Sequence, residues 1–489
     1  MRGVFEPTRR TVVQGGAALA AGVLARCAPK AETAARPTGR LAETRLNGSE
    51  RVLTAAERPI TLPGASGPTP AWLYEAEPFP VLRVAAGGNV NITLANSLKE
   101  HSSIHWHGIR VPNAMDGVPY LTQLPVLPGE RFSYRFTPPD PGLFIFHPHC
   151  NTVEQFGRGL SGVMIVAGDE SDSFDDDIIC VLKDWRVARD GAWLPFMTAE
   201  GAGRAGTFGT LRTTNAQAAP EISVPAGADI RLRVVNLDST RIGAIGVEGA
   251  EAHIIAIDGN ALAPFTSDGW RLGPAMRVEY ALRTPADGGK VRLVDYFAAE
   301  PVALATLMAR GPSKHNDPFV AHSLKPAAFP EPDLGHASTH ALTLGSSAAA
   351  TDYAALPPIV LPDGRKIDLL DTLCSTAGTF WAIDGKTWPQ QGHQHLPPPL
   401  MRFKRGETAL IEFSNTSKNA HPMHLHGHAF KVLSCSKLER PVHWADTVLV
   451  MPDERVRIAF VADNPGNWMI HCHIIEHQDT GMMAWFEVA

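Results

Sequence analysis

Charge is scarce in this chain. Asp, Glu, Lys and Arg make up 19% of its 489 residues, below the roughly one quarter usual in globular proteins. The net charge is −6 and no block of Lys or Arg stands out. That argues against a nucleic-acid partner, which needs a basic surface. Beyond the N-terminal segment no stretch of 18 or more apolar residues occurs, so a multi-span helical membrane protein is excluded. Cysteine and tyrosine are rare, with 6 residues each. Against these shortages stand 43 Gly, 40 Pro and 20 His. Gly and Pro at that level favour short strands and turns over long helices. At roughly 100–200 residues per domain, the length suggests about three domains. The surplus of histidine is the feature that needs a cause.

The N-terminus reads as an address. Thr8-Arg9-Arg10-Thr11 precedes a mildly apolar, Ala/Gly-rich run from Gly15 to Ala25, too short to span a bilayer. This resembles a twin-arginine export signal, with cleavage expected somewhere in residues 25–36. Residues 1–36 are therefore taken as an export segment and a periplasmic location is expected. A lipoprotein reading through Cys27 is weaker, because Arg26 precedes it where a small residue is expected. Five cysteines then remain: Cys150, Cys180, Cys374, Cys435 and Cys472. The first four allow three disulfide pairings if all bond, and spacing does not choose among them.

One unit occurs three times. A skeleton of Gly, eight residues and Asn runs from Gly87 to Asn96, from Gly227 to Asn236 and from Gly406 to Asn415. Each is a turn glycine, a strand-like stretch and a closing asparagine. The first and third copies match further. Nine residues after Asn96 comes His105-Trp106-His107-Gly108, and nine after Asn415 comes His424-Leu425-His426-Gly427. Asp140-Pro141-Gly142 leads to His147-Pro148-His149, as Asn464-Pro465-Gly466 leads to His471-Cys472-His473. In the middle copy Ile245 and Val247 stand where the first histidine pair would be. The expected division is 37–168, 169–312, a loop-like linker at 313–338, and 339–489. Strand-like runs dominate (132–136, 162–166, 231–235, 409–413), with a short helix signal at 474–477. The expected class is all-β, with a sandwich or small barrel per domain.

In a strand, residues i and i+2 share a face, so His-x-His presents two imidazoles side by side. A single such pair is more often a solvated strand face. His393-Gln394-His395, in a Gly/Pro-rich loop without matching context, is left out on that ground. Four pairs at matched positions are different. Eight imidazoles from two domains exceed any mononuclear site and fit three metals, two with three His and one with two. A second set lies in the last domain. His421 stands three residues before His424, Cys472 between two histidines, His477 five residues after Cys472 and Met482 ten after it. Two His, a Cys thiolate and a weak axial Met are the blue-copper ligand set. Met483 is expected to pack in the core.

At these stretches, HWHG (105–108), HPH (147–149), HPMHLHGH (421–428) and HCHIIEHQDTGMM (471–483), the sequence resembles the multicopper oxidases over nearly its whole length. The resemblance implies three cupredoxin-like Greek-key domains, the middle one without ligands, and four copper ions. It implies a type 1 site of His421, Cys472, His477 and Met482, and type 2 ligands His105 and His424. One type 3 copper would take His107, His147 and His473, the other His149, His426 and His471. His428 matches no ligand position. It further implies one-electron oxidation of a reducing substrate, with electrons entering through an exposed edge of His477 or His421, and reduction of O2 to water. Asp116 matches an acidic proton relay near the cluster, whereas Gln478 stands where a Glu is often found. The expected substrate class is laccase-like, phenols and aromatic amines, because the 12 Met are dispersed and a thioether cluster is what Cu(I) prefers. A periplasmic Cu(I) or Fe(II) oxidase is the alternative, with Asp446, Glu476 and Asp479 as candidates to bind a cation. A structural or cell-division protein of the same fold is a remote one, since no ligand is lost. A monomer is expected.

Overall fold

The structure is a computed structural model and describes residues 39–168, 173–346, 359–360, 366–367, 380–388 and 396–489. The proposed export segment, Cys374 and His393–His395 lie outside the described residues.

Six sheets make three two-sheet sandwiches, and a two-stranded pair joins Ile359–Val360 to Lys366–Ile367. The three copies of the repeat skeleton become three equivalent strands, Val90–Asn96, Asp229–Asn236 and Thr408–Asn415. Each pairs in parallel with an earlier strand and antiparallel with a later one. Both ends of the skeleton have a local reason. Gly87, Gly227 and Gly406 have φ of 74°, 54° and 85°, a region that favours glycine. Asn96, Asn236 and Asn415 are buried, and each accepts from the backbone N–H two residues on while its amide donates to two or three carbonyls across the fold. That Asx turn closes the strand and ties it to the next loop.

Each sandwich has its own core: around Trp106, Tyr134 and Phe146 in the first, Ile230, Tyr280 and Leu293 in the second, and Phe413, Trp468 and Phe486 in the third. Ile245 of the middle copy is fully buried in its core, so the ligand position there serves packing. A fourth apolar cluster, including Ile145, Trp185, Val235 and Ile475, draws residues from all three sandwiches and holds them together. Residues 313–337 carry no strand or helix. The short helix falls at Ile475–Asp479. Cys150, Cys180 and Cys435 are free thiols, so the described residues contain no disulfide among the cysteines that spacing left open. Cys150 and Cys180 are buried in the interior, where a thiol packs as a small apolar group. No helix among the described residues is long and apolar enough to cross a membrane.

Candidate metal centre

Strand register builds the larger site. His105–His107 forms an edge strand whose His105 stands opposite His147. In the third sandwich His424 stands opposite His471. The two pairs per sandwich thus meet at strand ends, and the sandwiches face each other there. His105 stacks on His426 with ring centroids 3.8 Å apart, and His107 on His424 at 3.6 Å. All eight predicted histidines come together. Ligand atoms of His105, His107 and His147, of His105, His149 and His426, and of His424, His426 and His471 each lie within 4.8 Å of one another. His473 joins through Nε2, 3.3 Å from Nε2 of His147. Seven of the eight are buried, and His149 is partly exposed.

One nitrogen of most of these rings is held and the other is left bare. Nδ1 donates to Asp116 O from His105 (2.8 Å), to Pro148 O from His147 (3.1 Å), to Asp446 O from His424 (2.8 Å), to the Asp116 carboxylate from His426 (3.0 Å) and to Cys472 O from His471 (2.9 Å). His107 is reversed, with Nε2 donating to Asp446 Oδ1 at 3.0 Å. Nε2 of His105, His149 and His424 and Nδ1 of His107 are buried without a partner. His426 and His471, whose Nδ1 atoms are committed as donors, face each other through Nε2 at 3.1 Å. Two bare lone pairs at that distance repel unless a cation lies between them. Burial, with the neighbouring imidazoles, holds His107, His147, His149, His424, His426 and His473 far below the ordinary histidine range, and His471 at about 4. The rings stay neutral, the form that binds metal.

The second site joins His421, Cys472 and His477. Cys472 Sγ lies 3.6 Å from His421 Nδ1 and 3.7 Å from His477 Nδ1, and the two Nδ1 atoms are 3.1 Å apart. The remote nitrogens are again fixed: His421 Nε2 donates to Ser417 Oγ at 2.8 Å and His477 Nε2 to Arg204 O at 2.5 Å. Met482 is fully buried in the same core as Cys472, and its main chain bonds both Cys472 and His477. Burial pushes the Cys472 thiol well above its ordinary range, so binding a metal there releases its proton. Soft sulfur with two imidazoles suits copper.

One expectation changes. His421 and His477 are both fully buried, so neither offers an exposed edge. Trp381 packs on both rings, at 5.0 and 4.5 Å between centroids, and its Nε1 donates to Ala202 O, bringing the helix Ala199–Ala202 and Arg204 over the site. The acidic cation candidates have partners within the protein: Glu476 accepts from the Thr207 N–H and hydroxyl, and the exposed Asp479 from Val153 N and Gln478. Asp446 sits against the histidine cluster, bonded to His107, Thr447 and Arg277. Asp116 does reach the cluster, touching His426 and, at 3.2 Å, His105. His428 is a buried neighbour that donates to His426 O. Sequence reasoning missed Ser417, four residues before His421, and Trp381, Thr447, Arg277 and Asp258, which have no local spacing to the ligands they support.

Models of the multicopper oxidase family match residues 60–171 and 371–489. The chain is similar to a multi-copper oxidase structure from Pseudomonas thermotolerans, 34% identical over 92% of this chain and 100% of that one, with a TM-score of 0.78. A multi-copper oxidase structure from Pseudomonas parafulva is 35% identical over 90% and 100%, with a TM-score of 0.77. The multicopper oxidase MmcO of Mycobacterium tuberculosis is 27% identical over 96% of this chain and 94% of its own. Two buried donor sets of copper-binding chemistry thus stand where the likeness runs, and the chain belongs to the multicopper oxidase family, copper-dependent oxidoreductases that use O2.

Proposed function

We propose that the chain is a laccase-like enzyme that oxidises phenols or aromatic amines one electron at a time and returns four electrons to O2, giving water. His421, Cys472, His477 and Met482 would hold the type 1 ion. His105 and His424 would hold the type 2 ion, with His107, His147 and His473, and His149, His426 and His471, holding the type 3 pair. Copper, when bound, supplies the one-electron redox chemistry. The observation that carries this reading is covalent: Cys472 of one donor set lies between His471 and His473 of the other. Electron entry and O2 reduction are thereby joined by two peptide units.

The protein does the rest. The covering layer of Trp381 and the 199–204 segment keeps water off the Cys472 site. Near His149, a cavity of about 350 Å³ lined also by Cys150, Asn151, Gln478 and Asp479 gives small molecules a way to the partly exposed ring. Asp116 holds His105 and His426, and its carboxylate would hold and release the protons that O2 reduction needs. Gln478 lines the same cavity and offers no acid there.

The substrate class is supported by a second cavity of about 370 Å³. It is lined by Trp388, Pro397, Pro398, Leu400, Met483 and Trp485, with Met483 next in the chain to Met482. Flat aromatic walls suit an aromatic reductant, and Glu476 and Asp479 are already bonded within the protein. The enzyme is exported by the twin-arginine route and works in the periplasm as a monomer. Steady-state O2 uptake with phenols, Cu(I) and Fe(II) on copper-loaded protein tests the reading. A phenol is expected to give the highest kcat/KM. A higher value for Cu(I) or Fe(II) would make the protein a metallo-oxidase.

A further inference from the structure

The middle sandwich has no ligands, yet one of its side chains reaches the histidine cluster. Arg277 is fully buried and all five of its guanidinium N–H groups are used. Nε donates to Leu143 O (3.1 Å) of the first sandwich. Nη1 donates to Ala275 O (3.0 Å) and Nη2 to Asp258 O (3.0 Å) of the second. Nη1 and Nη2 together grip Asp446 of the third, at 2.9 and 2.5 Å. A planar guanidinium fork meeting a carboxylate by two bonds fixes that carboxylate in orientation as well as in place. Asp258 completes the junction by accepting from the backbone N–H of Arg277 (2.9 Å) and of Thr447 (3.1 Å).

What Asp446 then does reaches the cluster. Its Oδ1 accepts from His107 Nε2 at 3.0 Å and from Thr447 Oγ1 at 2.8 Å, and its backbone carbonyl accepts from His424 Nδ1 at 2.8 Å. Asp116 makes the mirror arrangement in the first sandwich: its carbonyl takes His105 Nδ1 and its carboxylate takes His426 Nδ1. The two halves of the cluster are thus related, and only the Asp446 half is gripped by a buried arginine. The consequence falls on His107. It is held by Nε2 at a carboxylate and presents a bare Nδ1, whereas His473, also bare at Nδ1, has only the His147 imidazole at its Nε2. Gly108, the last residue of HWHG, belongs to the same device. A Cβ there would lie 2.3 Å from Asp446 Oδ2 and 2.9 Å from Arg277 Nη2, so only glycine lets the strand end this close to the pair.

We propose that Arg277 is a positioning residue for the trinuclear copper cluster: by clamping Asp446 it fixes His107 in the tautomer that leaves Nδ1 free, making the ligand-free middle domain a working part of the oxygen-reducing site. This rests on the copper reading above. The Cys472 site provides an internal control, because its donors and the residues that hold them do not touch Arg277 or Asp446.

The test uses the full chain loaded with copper, as wild type, Arg277→Met and Asp446→Asn. Asp446→Asn preserves size and one acceptor, so it covers the case in which Arg277→Met does not fold. Copper per chain, the blue absorption, the type 2 paramagnetic resonance signal and the near-ultraviolet type 3 band are read on each. The blue absorption per chain is expected to stay at the wild-type level in at least Asp446→Asn. The type 2 signal is expected to change shape or vanish, with loss of up to three copper equivalents and a more than tenfold fall in O2 reduction. Wild-type type 2 and type 3 signals and copper content in a folded variant, with only the melting temperature lowered, would overturn the proposal. A wild-type chain that shows no blue absorption on loading would overturn the copper reading itself.

Discussion

Which ring nitrogen carries the proton decides the chemistry of each histidine in this protein. The paired HxH motifs place the rings, but backbone carbonyls and two buried aspartates choose the tautomer, and they leave the bare nitrogens converging. Asp116 is the side chain on which this account leans most. Asp116→Asn keeps an acceptor near His426 but cannot carry a proton as a carboxylic acid does. O2 reduction is expected to slow by roughly 10²–10⁴-fold, the usual worth of general acid–base catalysis, while the blue absorption stays. Wild-type turnover in that variant would remove Asp116 from proton delivery. The ligands themselves were legible in the sequence, because strand periodicity and the repeat both bear on them. Asp446 was read only as a cation candidate, and Thr447 and Arg277 were not read at all: Arg277 lies 169 residues from Asp446 and in a domain whose copy of the motif is empty.

At the scale of elements, turns govern where the histidine strands end. Gly117 follows Asp116 with φ of 83°, and a Cβ on it would fall 1.8 Å from Ile104 O, in the peptide that leads into His105. No flexible side-chain tip is there to yield, so the backbone beside His105 must move. Gly117→Ala is expected to lower stability by on the order of 2–3 kcal/mol, the usual worth of a strained backbone position, and to lower copper content with it. Urea unfolding and metal analysis check both; an unchanged midpoint would mean that this turn has slack the close approach does not suggest. The repeat skeleton was readable for a similar reason. A glycine at positive φ and a buried asparagine closing an Asx turn are requirements of single positions, so they survive in all three copies. The cover over the Cys472 site was not readable. Trp381 and the Ala199–Ala202 helix come from different sandwiches and meet His477 only in the folded molecule, which is why an exposed ring edge was expected there and a buried one found.

For the whole molecule, burying so many imidazoles sets a pH limit. His443, His471 and His477 are held by burial at about 4, against an ordinary value of 6.5. The unfolded chain therefore takes up protons between those values that the folded chain refuses. By linkage, stability without metal is full above about pH 6.5 and falls as the pH drops towards 4. The urea midpoint of the metal-free protein is expected to be clearly lower at pH 5 than at pH 7. A midpoint that is flat or rises on acidification would contradict the buried, neutral state of these rings. Added copper acts in the opposite sense, since a ligand bound only by the folded state raises its stability by mass action.

Three sandwiches, their order and the empty middle copy followed from repeats and turn chemistry. The way the middle copy touches the cluster followed only from the assembled fold. The central claim is that two donor sets, joined at Cys472, hold about four copper ions. It is tested most directly by loading the full chain with copper and measuring metal per chain together with the blue absorption, in the wild type and in Cys472→Ser. About four copper per wild-type chain with an intense blue band are expected, and about three with no blue band in Cys472→Ser. A wild-type chain that takes up one copper or none, or a variant that keeps the blue band, would contradict that claim.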